Sequence, residues 1–178
     1  TKPTQDYGHT VTGAAPSTVR ACRGNIALST GRNSAGTCAT TLLRTSYRKG
    51  KHRHQPPDPI VVMPMHQLDS WMDTWANAKF DLKHRVAKAW PSIVQTSHTC
   101  TNMWSRVTGP MSAAIATITS LEWQPTCPAT WHMQNGNDKV QIKYNHEPGV
   151  TIHHVKYVAR QTLEQQAWNA AENQHNAA

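Results

Sequence analysis

Two histidines and two cysteines form the best candidate for a metal centre. His98-x-Cys100 and Cys127-x4-His132 supply ligand types that suit tetrahedral zinc. Their spacing matches no zinc motif, in which ligands usually come in closely spaced pairs such as Cys-x2-Cys. Cys100 falls on an apolar helical stripe and Cys127 in a proline-rich turn. We therefore predict one core thiol and one loop thiol, with no bound metal or other cofactor.

Motifs for other chemistry are absent from the sequence. It contains no GxSxG nucleophile elbow, no GxxxxGK[ST] phosphate loop and no GxGxxG dinucleotide loop. The acidic residues are scattered, and their single pair with helical i, i+4 spacing, Asp69 and Asp73, is typical of a solvated helix face. We predict that the chain is not an enzyme, and we expect no polymerase, nuclease or hydrolase activity.

A basic cluster is the stronger functional lead. The stretch RTSYRKGKHRHQ, residues 44–55, holds five Lys or Arg residues around one tyrosine. Guanidinium and ammonium groups suit phosphate oxygens, and a tyrosine ring can stack on an unpaired base. The predicted nucleic-acid-binding residues are Arg44, Tyr47, Arg48, Lys49, Lys51 and Arg53. If about five phosphates are neutralised, log K should fall with log salt at a slope near −3.5 on single strands and about −4.5 on duplex.

The positive charge is concentrated at one end of the chain. Residues 1–57 hold nine basic residues and one acidic residue, whereas residues 58–178 hold nine of each, so the whole formal charge of +8 belongs to the first segment. A cationic arm favours a polyanionic partner: nucleic acid, an anionic membrane surface or an acidic protein face. A solvated tail that binds nothing is the plain alternative.

Composition divides the chain in the same place. Leu, Ile, Val and Phe make up only 26 of the 178 residues, but all seven tryptophans lie between Trp71 and Trp168 and can supply a large buried area. We predict a basic, largely irregular arm over residues 1–57 and a Trp-rich helical domain over residues 58–178. The prolines at 56, 57 and 59 mark the boundary.

Periodicity predicts a mainly α fold with one β-hairpin, of the α+β class. A first helix is expected at about 64–78. A second helix is expected to begin with Asp81 as its cap and to break or kink at Pro91, and another helix or a kinked continuation then runs to about 107. A helix-hairpin-helix unit at 109–175 follows. It contains a helix opened by Gly109-Pro110, strands around Asn135-Gly136 and a final helix over about 151–173.

Cysteine usage and hydropathy bear on the compartment. Four widely spaced cysteines exclude a disulfide scaffold. Cys22 and Cys38 could close a loop in an oxidising compartment, but free thiols in a reducing intracellular compartment are favoured: nucleus or cytoplasm, with an organelle as the alternative. The longest apolar run, residues 60–63, is far shorter than the roughly 18 residues of a membrane helix, so no transmembrane segment is predicted.

The block GPMSAAIATITSLEWQPTCPATWHMQNGN, residues 109–137, resembles a recurring block of reverse-transcriptase-like polyproteins in dinoflagellate-type retroelements. The similarity extends over about residues 40–178, through Thr40-Thr41-Leu42-Leu43, Ala89-Trp90-Pro91, Trp168-x-Ala170 and His175-Asn176. It implies a region that follows the polymerase palm and precedes a nuclease-like part. Glu122 replaces the glycine usual before Trp123, which suggests a reshaped turn or a longer helix. The block carries no motif of established chemistry.

These observations predict a non-catalytic accessory segment of a retroelement polyprotein that contacts the phosphate backbone of nucleic acid through its basic arm. The alternative is a structural subunit whose arm threads over a large assembly, such as a ribonucleoprotein or a photosynthetic complex. The two hypotheses assign different partners to the same basic residues.

Overall fold

The structure, a computed structural model, describes residues 13–29, 38–46, 58–135, 138–143 and 150–176. Their elements are α1 (Pro16–Ser29), α2 (Ala39–Ser46), α3 (Pro59–Asn77), α4 (Phe80–Thr99), a 3₁₀ turn (Met103–Arg106), α5 (Pro110–Ser120), β1 (Trp123–Cys127), β2 (Thr130–Asn135), β3 (Asp138–Lys143) and α6 (Val150–Asn176). The mainly helical fold with an antiparallel β2–β3 hairpin between α5 and α6 confirms the predicted fold class.

Helix α3 begins five residues before the predicted start at Pro64. The Asp58 carboxylate accepts a hydrogen bond from the Ile60 backbone N–H at 3.1 Å, and Pro59 occupies the first turn, where it needs no N–H partner. Pro64 therefore lies inside the helix rather than at its beginning. Burial of Leu68 and Trp71 on the core side holds the helix together across this proline.

Helix α4 corrects two expectations. Its N-cap is Lys79 without a side-chain bond, and Asp81 lies in the first turn, where a carboxylate interacts favourably with the helix dipole but does not cap. Of the two outcomes expected at Pro91, a break or a kink, the break does not occur, since the helix continues through Pro91 to Thr99. The segment expected to run on to about 107 instead forms the 3₁₀ turn.

The hairpin extends into a three-stranded antiparallel sheet of order β1–β2–β3 among the described residues. Trp131 pairs with Ile142 and Met133 with Val140, so the alternating apolar residues of β2 and β3 lie opposite one another. Strand β1 was not predicted, because Pro125 interrupts its short WQPTC pattern. Proline is tolerated there since β1 is an edge strand, and the pairing register shifts between Gln124 and Cys127 around it.

Glu122 connects α5 to β1 in a conformation that usually requires glycine. Its φ is 63°, and its backbone N–H donates to the Thr119 carbonyl at 2.9 Å, as in a left-handed helix C-terminus. The helix ends at Ser120 and is not extended. Glutamate therefore occupies this position in the same left-handed turn that a glycine would make.

The expectation of little regular structure before residue 57 is wrong where the structure describes that segment. Helices α1 and α2 form there, and Val19 of α1 is buried together with Ala14 and Met63 of α3. The local sequence of α1 has only weak amphipathic character, so packing against α3 stabilises it more than intrinsic propensity does. Leu42 and Leu43 of α2 are also buried.

The main core lies where α3, α4, α5, α6 and the sheet meet. Most of the tryptophans are buried as predicted: Trp71, Trp90, Trp123 and Trp131. Two indole N–H groups reach carbonyls of the segment around β1, since Trp71 donates to Pro128 at 3.1 Å and Trp90 to Pro125 at 2.8 Å. These bonds fix α3 and α4 against the sheet.

Candidate nucleic-acid interface

Most of the predicted binding residues lie outside the described part of the chain. Arg44 belongs to α2, but its side chain is not described. Tyr47, Arg48, Lys49, Lys51 and Arg53 fall in the undescribed range 47–57. Their contact with phosphate therefore stays a prediction from the sequence.

Arg23, which contributes to the charge of the predicted arm, is engaged within the protein. Its Nε lies 2.8 Å and its Nη2 3.0 Å from the two carboxylate oxygens of Asp58. Nη2 also donates to the Thr40 hydroxyl at 2.8 Å, and the side chains of Arg23 and Asp58 are each only 16% exposed. This paired guanidinium joins α1 and α2 to the start of α3, so it is not available for an external phosphate.

The exposed side of α4 carries a second cationic surface, which we call the α4 basic face. It consists of Lys79 at the N-cap and Arg85 and Lys88 on the solvent side of the helix. None of the three forms an ion pair with a carboxylate of the described residues, whereas Lys156 of α6 pairs with Asp69 at 2.8 Å. Asp81 is the one acidic residue within this stretch of helix.

An exposed aromatic ring borders the α4 basic face. Phe80, the first residue of α4, is 82% exposed. On an α-helix, positions 80, 84 and 88 follow one another at i, i+4 spacing and share a side. Phe80 therefore lies on the same side of α4 as Lys88, about two helical turns away.

The opposite side of α4 fixes this surface to the core. Trp90 is fully buried, and its ring centroid lies 5.3 Å from that of Trp71. Lys83 stabilises the turn between α3 and α4, because its Nζ lies 5.9 Å from the centre of the Trp75 ring and 3.4 Å from the Ala76 carbonyl oxygen. Lys83 thus supports the helix rather than extending its basic face.

The sequence did not single out the α4 basic face. Residues 58–178 contain equal numbers of basic and acidic residues, and this balance hides a local excess of cations. The signal was the run KFDLKHRVAK, residues 79–88, which has four basic residues and one acidic residue. Helical spacing then separates Arg85 and Lys88 from the buried positions of α4.

The Cys and His candidates are distributed among different elements. Among the described residues, no group of three or more His, Cys, Asp or Glu side chains is arranged to hold a metal ion. The Nδ1 atom of His132 lies 2.6 Å from the Thr126 hydroxyl oxygen. Cys22, Cys38, Cys100 and Cys127 are all free thiols.

Comparison with known proteins identifies no relative. No family model matches the chain, and neither do the curated proteins or the solved structures with which it was compared. In the part of the chain that is described, no helix is both long enough and apolar enough to cross a membrane.

Proposed function

We propose that this chain is a non-catalytic nucleic-acid-binding segment that holds the phosphate backbone through residues 44–53 and the α4 basic face. The observation that carries the proposal is the exposed first half of α4. Arg85 and Lys88 form no ion pair with a carboxylate of the described residues, and they lie on the same helix as the exposed Phe80. Phosphate contacts supply most of the affinity of sequence-independent binding.

Polar residues on the remainder of the α4 surface favour nucleic acid over a lipid surface. Beyond Phe80 and Leu82, which is 45% exposed, the exposed positions of this helix are mostly polar or charged, among them His84, Gln95 and His98. A helix that lies on a membrane needs a broad apolar face to bury among the acyl chains. A single exposed ring at the helix start instead suits stacking on an unpaired base.

We expect binding without sequence specificity. Base edges are read by a helix or a β-ribbon inserted into a groove, whereas lysine and arginine contacts to phosphate carry no sequence information. The inner side of α4 packs against the core through Trp90. The cations of the α4 basic face lie on the exposed side of the helix. From the sequence pattern of residues 40–178 alone, we further propose an accessory role beside a polymerase in a retroelement polyprotein.

Replacing Arg85 and Lys88 by glutamine should weaken binding to a labelled oligouridine and flatten its salt dependence. Loss of two phosphate contacts lowers the slope of log K against log salt by about 1.4 on a single strand. Fluorescence anisotropy titrations at four or more salt concentrations measure both changes. Circular dichroism should be unchanged, because both side chains are exposed.

The matched control is Arg106→Gln with Arg160→Gln, which removes two exposed cations from other elements. We expect its slope to stay within experimental error of the unaltered chain. Equal losses in the two double variants would show that net charge alone governs binding, and would contradict a role for the α4 basic face.

A further inference from the structure

A cavity of about 480 Å³ lies among α1, α2, α3, α5 and α6, away from the α4 basic face. This volume is within the range of about 300–1,000 Å³ that small-molecule sites occupy. Val19, Met63, Leu163 and Ala167 are among the apolar residues of its wall. The cavity therefore offers a largely apolar space of a size that suits an organic ligand.

Two arginines of α1, Arg20 and Arg23, give this cavity a positive side. Arg23 is neutralised by Asp58 at 2.8 Å, so its charge is already matched. Arg20 is exposed and forms no ion pair with a carboxylate of the described residues. The cavity wall thus leaves one guanidinium available to an incoming anion, next to apolar surface.

Cys38 is also part of the wall and marks its α2 side. The Cys38 carbonyl accepts the first hydrogen bond of α2, from the Leu42 N–H at 2.9 Å, so Cys38 is the helix N-cap. Burial raises the pKa of the thiol, but hydrogen bonds from the backbone N–H groups and hydroxyls of Thr41 and Thr40 outweigh burial and lower it below its usual value. Cys38 therefore lines the cavity with a thiol whose thiolate form is favoured.

We propose that this cavity binds an amphipathic carboxylate, such as a medium-chain fatty acid. The apolar chain would lie against Met63, Leu163 and Ala167, and the carboxylate would lie beside Arg20. A carboxylate is favoured over a neutral molecule because the unmatched charge of Arg20 is complemented only by an anion. The cavity is separate from the α4 basic face, since none of its lining residues belongs to α4, whereas α2 both lines the cavity and carries Arg44 of the basic arm.

Protection of Cys38 from alkylation tests the proposal on the full chain. Decanoate, kept below its micelle concentration, should slow the reaction of Cys38 with iodoacetamide in a saturable manner. Peptide mass spectrometry should show unchanged rates at Cys100 and Cys127, which do not line the cavity. Equal slowing at all cysteines, or no slowing at Cys38, would overturn the proposal.

Two variants locate the ligand. Arg20→Gln should weaken decanoate binding about three- to tenfold and leave the weaker binding of decanol unchanged, because only the acid contacts the guanidinium. Gly24→Leu should abolish protection, since Gly24 lines the cavity and a Cβ there meets no heavy atom within 4 Å. Gly24→Ala, which keeps most of the space, should retain protection. Equal binding of decanoate and decanol by both the unaltered chain and Arg20→Gln would contradict the carboxylate assignment.

Discussion

Trp90→Ala is expected to lower the free energy of unfolding by about 3–5 kcal/mol, the usual range for removing a fully buried large aromatic side chain. Trp90 is fully buried, packs against Trp71 with ring centroids 5.3 Å apart, and donates its indole N–H to the Pro125 carbonyl at 2.8 Å. The substitution leaves a cavity between α4 and β1 and removes the donor from a buried acceptor. Urea denaturation followed by far-UV circular dichroism measures the loss.

Trp90→Phe separates these two contributions and is a milder variant should the alanine form fail to fold. It keeps an aromatic ring but removes the indole donor, so we expect a loss of about 1–3 kcal/mol. Trp168→Ala is the matched control, because Trp168 is 43% exposed, and should change stability by about 0.5 kcal/mol or less. Equal effects at Trp90 and Trp168 would contradict the assignment of Trp90 to the core.

Alanine at all five basic positions of the arm is expected to remove most of the affinity for nucleic acid. The positions are Arg44, Arg48, Lys49, Lys51 and Arg53. Exposed charge pairs contribute about 0.2–1 kcal/mol each, so the combined loss of about 1–5 kcal/mol should weaken binding about 5- to 4,000-fold. Filter binding to RNA and to duplex DNA at low salt measures it, and the helical circular dichroism signal should persist.

A charge-preserving variant serves as the control. Lys49→Arg with Lys51→Arg keeps both positive charges, and we expect binding within about twofold of the original chain, because backbone contacts depend mainly on charge. Tyr47→Ala should weaken only single-stranded binding, since a base is free to stack only there. Loss of binding in the charge-preserving variant would contradict a simple phosphate contact.

Segments with a clear apolar pattern were predictable from the sequence, and segments with few apolar residues were not. The apolar residues of α5 and the alternation in β2 led to the correct element types, although α5 is buried on all sides from Ala113 to Ile118. Helix α1 and strand β1 carry little such pattern. Their structure depends on contacts distant in sequence, such as Val19 with Met63, which a local window does not contain.

The charges of the candidate site were likewise only partly predictable from the sequence. The positive arm was visible as composition, but the neutralisation of Arg23 by Asp58, 35 residues away, was not. The α4 basic face was hidden by the balance of charges over residues 58–178 and emerged once Trp90 fixed the buried side of the helix. The net charge of a segment gives the excess of cations over anions. The fold decides which of those cations remain available to bind a partner.

The salt dependence of binding by the intact chain tests most directly whether it holds a phosphate backbone. With five contacts from the arm and two from Arg85 and Lys88, log K should fall with log salt at a slope of about −5 on single-stranded RNA and about −6 on duplex DNA. The slopes should not change with base sequence. A titration that shows no salt-dependent affinity for either RNA or DNA would contradict nucleic-acid binding and would favour an acidic protein face or a lipid surface as the partner.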